Sequence, residues 1–290
     1  MRWTPGGRSN NLEDRRGASP GGMGGRGFGG GGAKLGLGGI LVLAVLSLVF
    51  KRDLITEYAS GGGPSSAVSP TEAGSANGAI VDPSEENMVL FVSSVLDSTQ
   101  TNWHRLLPQY TDAKLVLFRD AVNSACGFAG AATGPFYCPG DRKVYIDLAF
   151  FDQLERQFGA PGDFAQAYVL AHEIGHHVQN LSGTESELRA AQQRNPGQAK
   201  ALSVAMELQA DCYAGVWAYS AAKQGYLEAG DLDEGLAAAS AVGDDRLQKM
   251  QTGRVNPESF THGSSADRRA WFKRGFDSGN PNQCDTFGRR

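Results

Sequence analysis

The segment AYVLAHEIGHHVQNLSG, residues 167–183, places three histidines and one glutamate within six positions of an otherwise apolar stretch. His172 and His176 are four residues apart, so on a helix both imidazoles project from one face, one turn apart. That spacing lets both rings bind one zinc ion at about 2.0–2.1 Å. Glu173 lies beside them, where a carboxylate that is not a ligand can act as a general base on a water molecule. The HExxH pattern therefore predicts a catalytic zinc site.

His177 belongs to the same cluster but does not fit the same metal. It lies about 100° around the helix from His176, so its ring cannot share the face that His172 presents. We therefore expect His177 to be a polar residue whose hydrogen bonds are satisfied at the helix surface. His104, which stands in a different segment, is also interpreted as structural.

A catalytic zinc site needs a third protein ligand and one open coordination position. The metzincin class would place a histidine ten residues after His172, but residue 182 is a serine, which excludes that class. The segment MELQADCYAGVW offers Glu207 and Asp211, four residues apart on one helix face. We predict Glu207 as the third ligand and Asp211 as the acceptor of a ligand histidine's N–H. The alternative, an ordinary surface acidic pair, fits the apolar surroundings poorly.

Helices must hold these residues in place. The periodicity of apolar residues predicts helices over residues 83–107, 163–182, 198–223, 232–250 and 264–276. Asp163 and Gln166 have the spacing of a capping box at the start of the helix that carries HExxH, and Gly183 is placed to end it. Two strands, KLVLF and KVYIDL, predict a small sheet. The predicted fold class is therefore α+β, one mostly helical domain with a small β-sheet.

The predicted domain comprises residues 83–290. Residues 1–82, which precede it, differ from it in composition. Twelve of the 39 glycines fall within residues 1–33, which predicts a disordered Gly/Arg-rich cytoplasmic tail. Residues 34–52 contain an uncharged run of 16 residues and predict one transmembrane helix as an anchor; a cleaved signal peptide is the alternative. Residues 53–82 are rich in Gly, Ser, Ala and Pro, which favours a flexible linker.

Charge predicts the orientation of the anchor. Six basic residues precede the apolar run, and only Lys51 and Arg52 follow it directly. The positive-inside rule then places the N-terminus in the cytoplasm and the domain in the periplasm or outside the cell. Residues 53–290 carry 19 basic against 29 acidic residues, a formal charge of −10. A domain this acidic lacks the positively charged surface that binds nucleic acid, so no nucleic acid partner is expected.

All four cysteines lie after the predicted anchor. An even number in an oxidising compartment favours two disulfides, for which three pairings are possible. The spacing favours Cys126 with Cys138, which closes a short Gly-rich loop, and Cys212 with Cys284, which ties the C-terminal segment to a helix. No CxxC pair is present, so a thiolate zinc site is not expected.

The order of these motifs resembles a known family. HEIGH followed by ELQAD resembles the gluzincin branch of the zincin metallopeptidases. The whole chain resembles the bacterial family of neutral zinc metallopeptidases in five blocks: MRW…NNLEDRRG, PFYCPGDRKVYIDLAFF, YVLAHEIGHHVQNLSG, ELQADCYAGVWA and THGSSADRRAWFKRGF. The resemblance implies a zincin-like fold, one zinc ion and the hydrolysis of peptide bonds in a peptide or protein substrate.

Two further features suit such an enzyme. A strand from GPFYCP or KVYID could form an edge along which an extended peptide pairs its backbone, although an ordinary small sheet explains the strands equally well. In THGSSADRRAW, His262, Arg268 or Arg269 could stabilise the oxyanion that forms on the scissile carbonyl. A plain loop residue is the alternative for His262.

Two other functions remain open from the sequence. The first is a non-catalytic scaffold or binding protein of the cell envelope with a structural zinc. The intact Glu173 argues against it, because a scaffold has no need of a general base. The second is a membrane assembly protein whose working part is the glycine-rich tail.

Overall fold

Eight α-helices make up most of the part of the chain that the structure describes. This computed structural model describes residues 1–4, 6–17, 83–130 and 133–288. Its helices are α1 (Pro83–Leu106), α2 (Ala149–Arg156), α3 (Asp163–Leu181), α4 (Thr184–Arg194), α5 (Ala199–Lys223), α6 (Asp231–Ala241), α7 (Asp244–Thr252) and α8 (Ser265–Ser278). The mixed, mostly helical architecture agrees with the predicted α+β class.

A four-stranded sheet and a separate hairpin complete the described architecture. The strands are β1 (Leu12–Asp14), β2 (Lys114–Phe118), β3 (Ala121–Ser124), β4 (Gly127–Gly130), β5 (Phe136–Cys138) and β6 (Lys143–Asp147). The sheet order is β1-β2-β6-β5, in which β1, β2 and β6 are parallel and β5 is antiparallel to β6. The two strands predicted from sequence are therefore its centre, where burial on both faces explains their continuous apolar runs.

The beginning of the chain belongs to this folded domain, which corrects the predicted disorder for residues 1–16; residues 18–33 of the predicted tail lie outside the described residues. Residues 1–16 and residues 82–290 form one unit, and β1 pairs with β2 so that Glu13 lies opposite Val116. A distant strand supplies the backbone hydrogen bonds and apolar contacts that the segment's own composition lacks. Because those contacts come from residues far along the chain, the composition of the segment alone predicted disorder.

The predicted anchor, residues 34–52, and the predicted linker, residues 53–82, lie outside the described residues. Within the described ranges given above, no helix combines the length and the apolar character needed to cross a membrane.

Two helices differ from their predictions. Gly162, not Asp163, occupies the cap position of α3, and the Asp163 carboxylate instead accepts hydrogen bonds from the amino group of Met1 at 2.9 and 3.0 Å. The helix predicted over residues 232–250 is divided into α6 and α7. Gly243 is extended there, with φ −71° and ψ 141°, and an added Cβ would lie only 2.4 Å from a backbone nitrogen of α8. The chain therefore turns at this glycine.

Glycines also set how closely α5 meets its two neighbours. A Cβ added at Gly175 in α3 would lie 3.0 Å from the carbonyl oxygen of Ala210. A Cβ added at Gly275 in α8 would lie 1.9 Å from the carbonyl oxygen of Cys212. Both distances are too short for a larger residue without movement of a helix. As a result, α3 and α8 pack against the same stretch of α5.

Both predicted disulfides are formed. Cys126 pairs with Cys138, which links the turn of the β3–β4 hairpin to β5. Cys212 pairs with Cys284, which links the C-terminal segment to α5. All four cysteines are therefore used.

Candidate metal centre

The crossing of α3 and α5 gathers the chemically active side chains. The i, i+4 spacing places His172 and His176 on the face of α3 that meets α5, and it places Glu207 and Asp211 on the face of α5 that meets α3. Because Gly175 allows the two backbones to come close, these side chains reach one another. Four polar groups thus converge where the two helices cross, and two of them, His172 and Asp211, are buried.

Three of these side chains are arranged as metal ligands. Nε2 of His172 lies 3.3 Å from Oε2 of Glu207, and Nε2 of His176 lies 3.6 Å from Oε1 of Glu207. One ligand atom from each residue lies within 4.8 Å of the others. In a tetrahedral site with bonds of about 2.0–2.1 Å, two ligand atoms are separated by about 3.3–3.4 Å. The donor set therefore fits zinc, with one coordination position left open.

Asp211 orients the ring of His172. It is fully buried, and its Oδ1 accepts a hydrogen bond from Nδ1–H of His172 at 2.8 Å. The hydroxyl of Tyr168 donates to the same oxygen. With Nδ1 protonated, Nε2 of His172 keeps its lone pair for a metal. The structure thus places the Asp211 carboxylate against the ring of His172.

A buried arginine compensates the charge of Asp211. Arg268 in α8 is 3% exposed, and it donates from Nε to Oδ2 at 2.7 Å and from Nη2 to Oδ1 at 2.9 Å. Such a bidentate, charge-assisted pair is among the stronger hydrogen-bonded arrangements in proteins. The expectation that Arg268 stabilises an oxyanion is therefore corrected, because its guanidinium is committed to Asp211. The neighbouring Arg269 is exposed.

His176 has a buried partner that the sequence analysis did not identify. Its Nδ1–H donates to Oε1 of Gln179 at 2.8 Å, and Gln179 is fully buried. The amide of Gln179 donates to the carbonyl oxygen of Met206 at 2.8 Å and to Oε1 of Gln209 at 3.1 Å. Gln209 donates in turn to the carbonyl oxygen of Cys284 at 2.9 Å. Hydrogen bonds thus connect the His176 ring to the disulfide-linked C-terminal segment.

Glu173 follows His172 on α3 and is 8% exposed. It is not one of the three grouped donors. A carboxylate that is adjacent to a ligand residue in the chain but outside the ligand set is suited to accept a proton from water.

The electrostatic field of the site favours positive charge. Burial alone would lower the pKa of His172, but the carboxylates of Asp211 and Glu207 outweigh burial and raise that pKa to about 10. Burial would likewise raise the pKa of Glu207, yet the neighbouring imidazoles, His176 first among them, hold it well below its usual range. Surroundings that stabilise a cationic ring also stabilise a metal cation bound at that ring.

The loop before α8 carries His262, and Asp244 holds this loop in place. Oδ2 of Asp244 accepts hydrogen bonds from the backbone amides of Thr261, His262 and Gly263 at 2.7, 2.6 and 3.0 Å. Nδ1 of His262 lies 3.2 Å from the other Asp244 oxygen. The ring therefore has one nitrogen fixed, while its side chain stays 49% exposed.

His177 is buried, which corrects the prediction of a residue at the helix surface. Its Nε2–H donates to the carbonyl oxygen of Thr111 at 2.7 Å, and the hydroxyl of Tyr137 donates to Nδ1 at 2.9 Å. Burial lowers the pKa of His177, which favours the neutral ring that this pattern requires. Asn180 also donates to the Tyr137 hydroxyl, at 2.8 Å. His177 and Asn180 thereby fasten β5 against α3.

Sequence reasoning missed Tyr168, Gln179 and Asp244. Tyr168 stands four residues before His172 and Gln179 three residues after His176, so helical spacing was a usable signal for both. Asp244 belongs to a different segment from His262, and only the folded chain shows that the two meet.

The chain is similar to proteins from several bacteria. Residues 1–287 match the family described as "Putative neutral zinc metallopeptidase". Protein YpfJ of Escherichia coli (strain K12) is 46% identical over 297 residues, which covers 100% of this chain and 99% of that protein. Protein Rv2575 of Mycobacterium tuberculosis (strain ATCC 25618 / H37Rv) is 52% identical over 202 residues, which covers 66% of this chain and 68% of that protein. No solved structure matches the chain at a significant level.

Proposed function

The chain belongs to this family of neutral zinc metallopeptidases, and on that premise we propose that it hydrolyses peptide bonds with one zinc ion held by His172, His176 and Glu207. The observation that carries the proposal is the grouping of these three donors within 4.8 Å of one another. They lie on two crossing helices, with Glu173 beside them. The substrate is a peptide or a protein.

Glu173 is the general base in this proposal. When bound, zinc supplies a Lewis acid that lowers the pKa of a water molecule to about 7 and polarises a carbonyl oxygen. Glu173 takes the proton from the attacking water and later gives it to the leaving amine. Its place next to a ligand, but outside the ligand set, allows this transfer.

Asp211 and Gln179 hold the two ligand rings in one tautomer. Each accepts a hydrogen bond from Nδ1–H at 2.8 Å, so each ring directs Nε2 at the metal. Partners of this kind typically contribute roughly 10–100-fold to metal affinity or activity.

His262 is the second catalytic group that we assign, as a donor to the oxyanion. Asp244 fixes the ring through Nδ1 and the loop through three amides. Burial lowers the pKa of His262, but Asp244 and Glu207 raise it by more. The protonated ring is therefore favoured, and in that form Nε2 can donate to a developing negative charge.

The edge strand β5 offers the substrate a place to pair. β5 ends the order of the described sheet, and the contact of Tyr137 with His177 holds it against the helix that carries HExxH. An extended peptide that adds to this edge gains main-chain hydrogen bonds irrespective of its sequence. A sheet edge beside two zinc-binding helices corresponds to a zincin-like fold, which we propose for the domain.

Two disulfides support a site of action outside the cytoplasm. They use all four cysteines, and disulfides persist in oxidising compartments. We therefore place the metal centre outside the cytoplasmic membrane, with residues 34–52 as the part of the chain that contacts the bilayer.

Metal content and hydrolysis of a peptide library test the proposal in the purified full chain. We expect about one zinc per wild-type chain. Glu173→Gln should keep this zinc and lose hydrolysis by about 10²-fold or more, because the base is removed. Glu207→Ala should lose zinc. Glu155→Gln, the same change as at Glu173 but at an exposed position of α2, should preserve both.

The outcomes separate this function from its main alternative. A non-catalytic scaffold would bind zinc in the wild type but show no hydrolysis that Glu173→Gln could remove. Wild-type turnover by Glu173→Gln would exclude the assigned base. A folded wild-type chain without zinc would exclude the metal centre itself.

A further inference from the structure

The first 16 residues are built into the domain that carries the metal centre. β1 is hydrogen-bonded to β2, and the Arg15 amide donates to the carbonyl oxygen of Leu117 at 2.8 Å, directly after the strand. Trp3 packs edge-on against Phe91 of α1, with 5.4 Å between the ring centroids. Backbone pairing and apolar packing thus both join this segment to residues that follow position 82.

The basic residues of the segment are paired with acids of the same unit. Nε of Arg8 donates to Oε1 of Glu86 at 2.8 Å, and Nη1 of Arg16 donates to Oε2 of Glu85 at 3.0 Å. Both arginines also donate to Asp14. By the positive-inside rule, these charges predict a cytoplasmic tail. In the structure they serve instead to hold the segment on α1.

The contact between Arg16 and Glu85 restricts how residues 1–16 and the residues after position 82 can be placed relative to a membrane. The two side chains are 3.0 Å apart, whereas the hydrocarbon core of a bilayer is about 30 Å thick. A single crossing between positions 17 and 81 would place Arg16 and Glu85 on opposite faces, and β1 could not pair with β2. The fold therefore requires both parts to share one compartment.

We propose that residues 1–16 lie on the same side of the membrane as the metal centre. This replaces the single-pass arrangement expected from sequence. The proposal does not depend on hydrolysis, so its test is independent of Glu173→Gln.

Cysteine labelling in spheroplasts that express the full chain tests the shared compartment. Gly6→Cys places a thiol in residues 1–16, and Gln251→Cys places one in the part of the domain that follows position 82. Both positions are exposed, and a Cβ at Gly6 meets no atom within 4 Å. The four native cysteines are paired, so the wild type gives the background. A membrane-impermeant maleimide should label both variants in intact spheroplasts, or it should label both of them only after lysis. Labelling of one before lysis and the other only after it would overturn the proposal.

A second measurement tests the strand pairing itself. Nζ of Lys143 in β6 lies 2.7 Å from Oε1 of Glu13 in β1. Glu13→Lys should lower the melting temperature of the full chain by about 2–4 °C, and Glu13→Lys with Lys143→Glu should recover part of this loss. Glu155→Lys, at an exposed position, is the matched control. An unchanged melting temperature in Glu13→Lys would contradict the docking of β1 on which the proposal rests.

Discussion

At the scale of single residues, the metal centre depends on the ion pair between Asp211 and Arg268, which forms without a metal. Asp211 is fully buried, and a buried carboxylate without a partner would cost several kcal/mol. Arg268 supplies the opposite charge through two hydrogen bonds. Asp211 can therefore stay ionised and hold the His172 ring in position without a bound metal. This gives Arg268 a positioning role, exerted through Asp211.

Arg268→Lys should weaken zinc binding by about 10–100-fold, because lysine keeps the charge but cannot form the bidentate pair that fixes Asp211. The measurement is zinc affinity by competition with a chelator, at a temperature where circular dichroism shows a folded chain. Arg269→Lys is the matched control, since Arg269 is adjacent and exposed. Wild-type zinc affinity in a folded Arg268→Lys variant would show that the arginine only stabilises the fold.

Local spacing explains which site residues could be found from sequence. His172, His176, Glu207 and Asp211 were predicted because each pair is four apart on one helix, and the helix geometry alone places the two side chains together. The Asp211–Arg268 pair joins α5 to α8, and the Asp244–His262 pair joins α7 to a loop. Such pairs are set by how helices pack, which no short-range pattern encodes.

At the scale of elements, β1 is held by charge pairs as well as by the sheet. Asp14, the last residue of β1, accepts hydrogen bonds from Nε and Nη2 of Arg16 at 2.9 and 2.7 Å. These bonds come first among the causes that lower its pKa from 3.8 to about 2. A carboxyl with a depressed pKa stabilises the folded state above its unfolded pKa. That contribution is lost as the pH falls through the folded value.

The stabilisation from Asp14 should therefore be full above about pH 4 and should disappear between about pH 4 and pH 2. Urea unfolding of wild type and Asp14→Asn measures it: the two midpoints should differ at pH 6 and converge as the pH falls through this window. Asp233→Asn, at an exposed position of α6, controls for the loss of one negative charge. A difference that is the same at pH 6 and pH 2.5 would refute this account of β1.

The elements that the sequence predicted share one property. α1, α3 and α5 are long and periodic, and β2 and β6 are continuous apolar runs, so each is visible within its own segment. β1 has three residues in a Gly/Arg-rich stretch, and its stability comes from pairing with β2. The separation of α6 from α7 likewise depends on the approach of α8 to Gly243. Both β1 and this separation are defined by tertiary contact, and both were missed.

At the scale of the whole molecule, the two disulfides constrain the chain to different degrees. Cys126 and Cys138 are 12 residues apart, whereas Cys212 and Cys284 are 72 residues apart. In the chain-entropy description, a longer closed loop restricts the unfolded chain more. The second disulfide also fixes Cys284, whose carbonyl oxygen accepts the bond from Gln209. It therefore connects global stability to the hydrogen bonds behind His176.

Removing Cys212–Cys284 by a double alanine substitution should cost more stability than removing Cys126–Cys138, by about 1.6 kcal/mol from chain entropy alone. Urea unfolding of the full chain measures the difference. Zinc affinity should fall in the Cys212→Ala, Cys284→Ala variant, because Gln209 and Gln179 lose a fixed partner, and it should stay unchanged in the Cys126→Ala, Cys138→Ala control. Equal losses of stability with unchanged zinc affinity in both would show that the C-terminal segment and the metal centre are energetically separate. A selective loss of zinc would make the redox state of this disulfide a determinant of whether the ligands are in place.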